Sequence, residues 1–174
     1  MNKTTYSYKK TDEYELFLDV FQSGEGKLKP AIFWIHGGGM IFGNREMILQ
    51  DQLEFYVDAG FKVISIDYRL APESNLEDSV EDVLDAYSWV IQQESLDISS
   101  ISVVGHSAGG YLALQLGAMA KSSPKAVISL YGYGNLTSEW VNTSSSAHFE
   151  FGEVLEEDAE KAREDFIVTG KAFT

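Results

Sequence analysis

Residues 101–111, ISVVGHSAGGY, restrict what this chain can fold into more than any other stretch. The β-branched apolar run at 101–104 reads as a buried strand. Gly105, His106, Ser107, Ala108 and Gly109 follow in the order G-x-S-x-G. From Tyr111 the pattern LALQLGAM reads as a helix packed on a sheet. Strand, sharp turn and helix together define a turn that lifts a serine Oγ clear of the sheet. Glycine is needed on both sides, because a Cβ there would collide with the neighbouring strand or helix. The helix that begins at the serine points its N-terminal N–H groups and positive dipole end at any charge forming beside it.

The rest of the chain repeats the strand-then-helix order. Tyr14, Leu16, Leu18 and Val20 alternate on one strand face, and with residues 6–9 they predict an opening antiparallel hairpin. Residues 30–35, PAIFWI, form a continuous apolar run, which predicts a central strand buried on both faces. It ends in His36, Gly37, Gly38 and Gly39. Residues 44–59 read as one helix, with Met47, Ile48, Leu53, Phe55 and Tyr56 as packing residues and Gly60 as its stop. Residues 62–66 are a strand, followed by DYRLAPE at 67–73. Leu76, Val80, Val83, Leu84, Tyr87 and Val90 mark the apolar face of the next helix. Glu77, Asp78, Glu81, Asp82 and Asp85 read as its solvated face. Residues 126–130 are one more strand. Residues 136–150 read as irregular, and 151–168 as an acidic amphipathic helix. This order predicts an α/β protein with a mostly parallel sheet and helices on both faces. All three glycine- or charge-marked segments fall at strand carboxyl ends, where such sheets place their sites.

Composition narrows the functional classes. The 174 residues suit one domain, and apolar and charged contents of 44% and 23% are those of an ordinary globular chain. A net charge of −14 opposes binding to nucleic acid or an anionic membrane surface. With no cysteine there is no disulfide or thiolate metal site. No His/Asp/Glu cluster has metal-ligand spacing, so neither a metal nor another cofactor is expected. The glycines at 37–39 do not form a phosphate loop, since no Lys-Ser/Thr follows them. The N-terminus lacks an apolar leader core and no stretch is long enough to cross a bilayer, so a cytoplasmic location is the expectation.

Three motifs in register, HGGG at 36–39, DYRLAPE at 67–73 and GHSAGG at 105–110, resemble the hormone-sensitive-lipase-like carboxylesterases of the α/β-hydrolase fold. The resemblance covers about residues 12–135. It implies Ser107 as nucleophile, the N–H groups of Gly38, Gly39 and Ala108 as oxyanion hole, and His36 and Gly37 as loop-orienting residues. Within DYRLAPE the charges read structurally, with Arg69 and Glu73 pinning the loop by a salt bridge. Residues 1–135 are then the N-terminal part of the hydrolase core and 136–174 the start of a cap. In this family an acid and a histidine follow the serine in chain order. Only 67 residues follow Ser107, and Glu139 and His148 are the sole acid–histidine sequence in that order. Both fall in the cap segment, so they read as incidental, and the triad acid and base are expected beyond Thr174. The sheet would then stop at its sixth strand, leaving an apolar edge open to a homo-oligomer contact.

The function that follows is a serine hydrolase cleaving small carboxylic esters through an acyl-enzyme on Ser107. The alternatives are an inactive remnant or binding module of that fold, and an amidase or acyltransferase on the same scaffold.

Overall fold

The computed structural model describes residues 1–24, 28–96, 98–141, 143, 152, 155–161 and 169. Six strands form one sheet: β1 (Asn2–Lys10), β2 (Glu15–Gln22), β3 (Lys29–Ile35), β4 (Lys62–Ile66), β5 (Ile98–His106) and β6 (Ala126–Leu130). Their spatial order is β1-β2-β4-β3-β5-β6. The β1–β2 and β2–β4 pairs are antiparallel, and β4, β3, β5 and β6 run parallel. This is a mixed sheet, antiparallel at its first two strands and parallel over the rest. β3 is central and its last five residues are buried, which its uninterrupted apolar run requires.

Helices cover both faces. α2 (Leu76–Gln92) and α3 (Ala108–Met119) close a core built on Leu16, Leu18, Phe33, Ile64, Val83, Tyr87, Val103 and Leu112. On the opposite face α1 (Gln50–Asp58) brings Leu53 and Val57 against Ile32, Trp34, Val63 and Val104. The alternation of β2 explains its place between them: Leu16, Leu18 and Val20 enter the first core and Phe21 the second.

Three expectations need correction. Residues 44–59 are not one helix. A 3-10 turn, Arg45–Met47, is separated from α1 by Ile48 and Leu49, both in extended conformation. The break lets Ile48 drop into the core, while Phe55, read as a packing residue, lies 70% exposed. The acidic face of α2 is not wholly solvated, because Asp82 is fully buried. Arg69 does not bridge to Glu73. It pairs with Asp82 at 2.7 Å, Asp78 at 3.0 Å and Glu81 at 3.1 Å. A buried carboxylate must be paired, and Arg69, buried in the loop after β4, faces it together with Lys9 of β1.

Of the helix read at 151–168, Glu156–Lys161 (α4) is described. Gly152 and Leu155 are described and lie outside the helix; the other residues of that range, and His148, lie outside the described residues. Among the described helices none is long and apolar enough to cross a membrane.

Candidate active site

Ser107 sits between β5 and α3 with φ 55° and ψ −122°, a conformation that a residue with a side chain adopts only under constraint. Two groups of contacts hold it there. Its N–H donates to the Leu130 carbonyl at the end of β6 (2.9 Å), and its carbonyl accepts from Gly110 (2.9 Å) and Tyr111 (3.2 Å) in the first turn of α3. Close backbone approach fixes the rest. A Cβ on Gly105 would overlap the Gly109 carbonyl, and one on Gly109 would overlap the carbonyl oxygens of Ile35 and His36. The G-x-S-x-G spacing is therefore a packing requirement where β3, β5 and α3 converge.

That convergence brings the loop after β3 beside the serine turn. Gly38, Gly39 and Met40 all have positive φ (106°, 64° and 64°). The Gly38 carbonyl accepts from Ile41 (3.0 Å) and Phe42 (3.1 Å), which curls the loop. The N–H groups of Gly38 and Gly39 donate to no acceptor among the described residues. Ala108 is the first residue of α3, so its N–H has no intrahelical acceptor. Three backbone donors thus remain open at the elements that meet around Ser107.

The glycine loop is clamped from behind. The His36 ring stacks on Tyr68 at 4.2 Å and 12°, and the Tyr68 hydroxyl donates to the His36 carbonyl at 3.0 Å. Burial raises the Tyr68 hydroxyl, so it stays protonated and remains a donor. The Ala71 N–H donates to the Met40 carbonyl at 2.7 Å. His36 is fully buried, and burial pushes its pKa down to about 4 against the opposing bond of its ring to Gly37. The ring is therefore neutral at neutral pH. Its Nδ1–H donates to the Gly37 carbonyl (2.7 Å), and Nε2 is a buried acceptor without a partner. Here His36 is a structural member of the loop.

Neither His106 nor Glu139 hydrogen bonds the serine hydroxyl. His106 packs its ring against Trp34 (5.2 Å) and Tyr131 (6.1 Å), and burial lowers its pKa. Glu139 is exposed on a short 3-10 turn, where its carbonyl accepts from Thr143. Among the described residues no imidazole or carboxylate hydrogen bonds Ser107 Oγ. None of their His, Asp and Glu side chains group in threes able to hold a metal ion.

Sequence reasoning missed a buried charge cluster below the loop. The Arg45 N–H and guanidinium donate to the two Asp67 oxygens (2.8 and 2.5 Å), and Arg45 Nε lies 3.2 Å from Asp19, which also pairs with Lys3 at 2.8 Å. Burial raises the Asp67 carboxyl from its ordinary value, with Arg45 opposing it. The cluster joins β2, β4 and the 3-10 turn. Its one sequence signal was Asp19, an acid inside the otherwise apolar run 16–21 of β2.

A family model described as alpha/beta hydrolase fold matches residues 32–171. A Staphylococcus aureus protein described as of unknown function superposes with a TM-score of 0.81 at 25% identity, over 95% of this chain and 59% of its own. An esterase from Pyrobaculum calidifontis superposes at 0.66 with 30% identity, over 79% of this chain and 47% of its own. Brefeldin A esterase, a bacterial homologue of human hormone-sensitive lipase, superposes at 0.58 with 30% identity, over 67% and 35%. Among curated proteins, a non-reducing polyketide synthase of Penicillium rubens is 37% identical over 151 residues, and one of Stereocaulon alpinum 36% over 152. This chain spans 6% of the length of those synthases. With the motifs, the sheet order and the serine turn all in agreement with these matches, the chain belongs to the alpha/beta hydrolase fold family.

Proposed function

We propose that this chain carries the nucleophile and the oxyanion-binding half of a serine hydrolase acting on small carboxylic esters. One observation carries the reading: Ser107 is held at positive φ next to the open N–H groups of Gly38, Gly39 and Ala108. In this reading Ser107 Oγ attacks the ester carbonyl, and the carbonyl oxygen becomes an oxyanion facing the three donors. Collapse of the adduct expels the alcohol and leaves an acyl-serine, which water hydrolyses. Backbone donors suit the task because they are fixed before the reaction starts, and losing one such donor costs about 3 kcal/mol of transition-state stabilisation. The serine proton needs an acceptor, and a histidine oriented by an acid is the usual one.

The absence of an imidazole on Ser107 Oγ among the described residues favours a second reading, a binding module that keeps the pocket without turnover. Likeness to the polyketide synthases supports the fold and not the synthase reaction, given the small share of their length. Hydrolysis of p-nitrophenyl acetate separates the readings. The hydrolase reading expects turnover that Ser107→Ala removes to background. Turnover equal in the two proteins contradicts Ser107 as the nucleophile, and none in either supports the binding module.

A further inference from the structure

The Gly38–Gly39 loop has many alternative shapes open to it, and it keeps one only where its surroundings over-determine it. Two contacts hold its near side: Tyr68 stacks on His36, and the Ala71 N–H donates to the Met40 carbonyl at 2.7 Å. The far side is held at Arg45, by main chain and side chain together. The Arg45 N–H and guanidinium reach the two Asp67 oxygens at 2.8 and 2.5 Å. Its carbonyl accepts from Ser65 Oγ at 2.5 Å. Its Nε lies 3.2 Å from Asp19, and its guanidinium carbon lies 5.6 Å from the centre of the Phe17 ring. All of these partners sit on β2, on β4 or directly after β4, so Arg45 ties the loop to the sheet.

From Arg45 the constraint runs back to the glycine donors through close packing. Gly43 has φ 116°, and a Cβ there would lie 2.5 Å from His36 Nδ1 and 2.8 Å from Met47 Sδ. Phe42 precedes it and donates its N–H to the Gly38 carbonyl at 3.1 Å. The Phe42 carbonyl in turn lies so near Gly38 that a Cβ there would be 2.0 Å from its oxygen. The path closes on itself: Asp67 holds Arg45, Tyr68 beside Asp67 holds His36, and His36 lies against Gly43. A shift of Arg45 therefore moves Phe42, and with it the backbone of Gly38.

Charge is a poor way to gain stability at such a place. Asp19 and Asp67 are buried, and apolar residues of similar volume are often as stable or more so. A buried guanidinium–carboxylate pair does fix geometry, because its donors are set in a rigid fork. We infer that Arg45 is a positioning residue, resting on the hydrolase reading of Ser107: clasped between Asp67 and Asp19, it holds the Gly38 and Gly39 N–H groups where the oxyanion forms.

Nitrogen-15 relaxation of the Gly38 and Gly39 amides, together with the rate of fluorophosphonate labelling at Ser107, tests this in Arg45→Met. That variant keeps an apolar stem over Phe17 and removes the guanidinium. The expected result is a native circular dichroism spectrum, order parameters at both glycines falling from about 0.85 to below about 0.6, and labelling slowed about 100-fold. Arg45→Lys, which can reach one carboxylate but not bridge two, falls between, and it carries the test should Arg45→Met not fold. Val90→Ala, in the buried last turn of α2 at the far end of the sheet, lowers stability and leaves both readouts unchanged. Unchanged order parameters in the Arg45 variants, an equal loss in Val90→Ala, or a loosened loop that labels at the wild-type rate would each overturn the positioning role. A wild-type chain unlabelled at Ser107 overturns the hydrolase reading, and the hold of Arg45 on Gly38 and Gly39 still stands or falls on the order parameters.

Discussion

Ser107 is set by its backbone bonds, whereas His36 is set by burial and by the Tyr68 ring stacked on it. Among the described residues Ser107 is held by bonds to its N–H and C=O, and its hydroxyl makes none. Its position was legible because each glycine of the motif answers a specific collision. His36 was legible only as a neighbour of the glycines; its stacking on Tyr68 arises from two loops distant in sequence, which no local pattern encodes. Its burial has a pH consequence. The native pKa is about 4 and the ordinary value 6.5, so the native state holds the ring neutral. The stability this represents is complete above the unfolded value and is lost as pH falls from about 6.5 toward 4. Between about pH 7.5 and pH 5.5 the wild-type chain is expected to lose about 1.4 kcal/mol more than His36→Asn in urea titrations. Asparagine keeps a donor for the Gly37 carbonyl without a titrating group. Equal losses would show that His36 is protonated in the native state or hydrated there.

At the scale of elements, apolar periodicity located the strands and charge patterning misled at the helices. All six strands arose from runs of β-branched and aromatic residues, although β1 and β5 extend beyond them. α1 was read too long because a stretch without glycine or proline carries no visible stop; the extended pair Ile48–Leu49 exists to bury Ile48 and is set by the sheet beneath. On α2, Asp82 looked like its solvated neighbours Glu81 and Asp85. It faces inward, where Arg69 and Lys9 meet it (2.7 and 2.9 Å), and this joins β1, the loop after β4 and α2. Asp82→Ala removes the one fully buried partner of Arg69 and leaves its Nε without an acceptor, and the expected cost is about 3 kcal/mol by urea denaturation. Replacing Asp85, which is half exposed and touches only the Lys9 end, is expected to cost under about 1 kcal/mol. Similar losses for both would show that the network acts through general charge and not through the buried pair.

For the whole molecule, the sheet order and the three loops at strand carboxyl ends make one surface, with the glycine loop, the serine turn and the loop after β4 side by side. That arrangement was readable from the order of motifs, since a right-handed parallel sheet leaves few alternatives. Partners for the serine hydroxyl were not readable, because a triad depends on residues that only the tertiary fold brings together. The central claim is that this fold presents Ser107 as a nucleophile facing preformed oxyanion donors. Labelling with a fluorophosphonate probe, followed by peptide mass spectrometry, tests it most directly, because phosphonylation needs both features. The account expects a single modified peptide carrying the probe on Ser107, lost in Ser107→Ala and lost when the chain is unfolded before labelling. A native chain left unlabelled at Ser107, or a label that persists in Ser107→Ala, would contradict it.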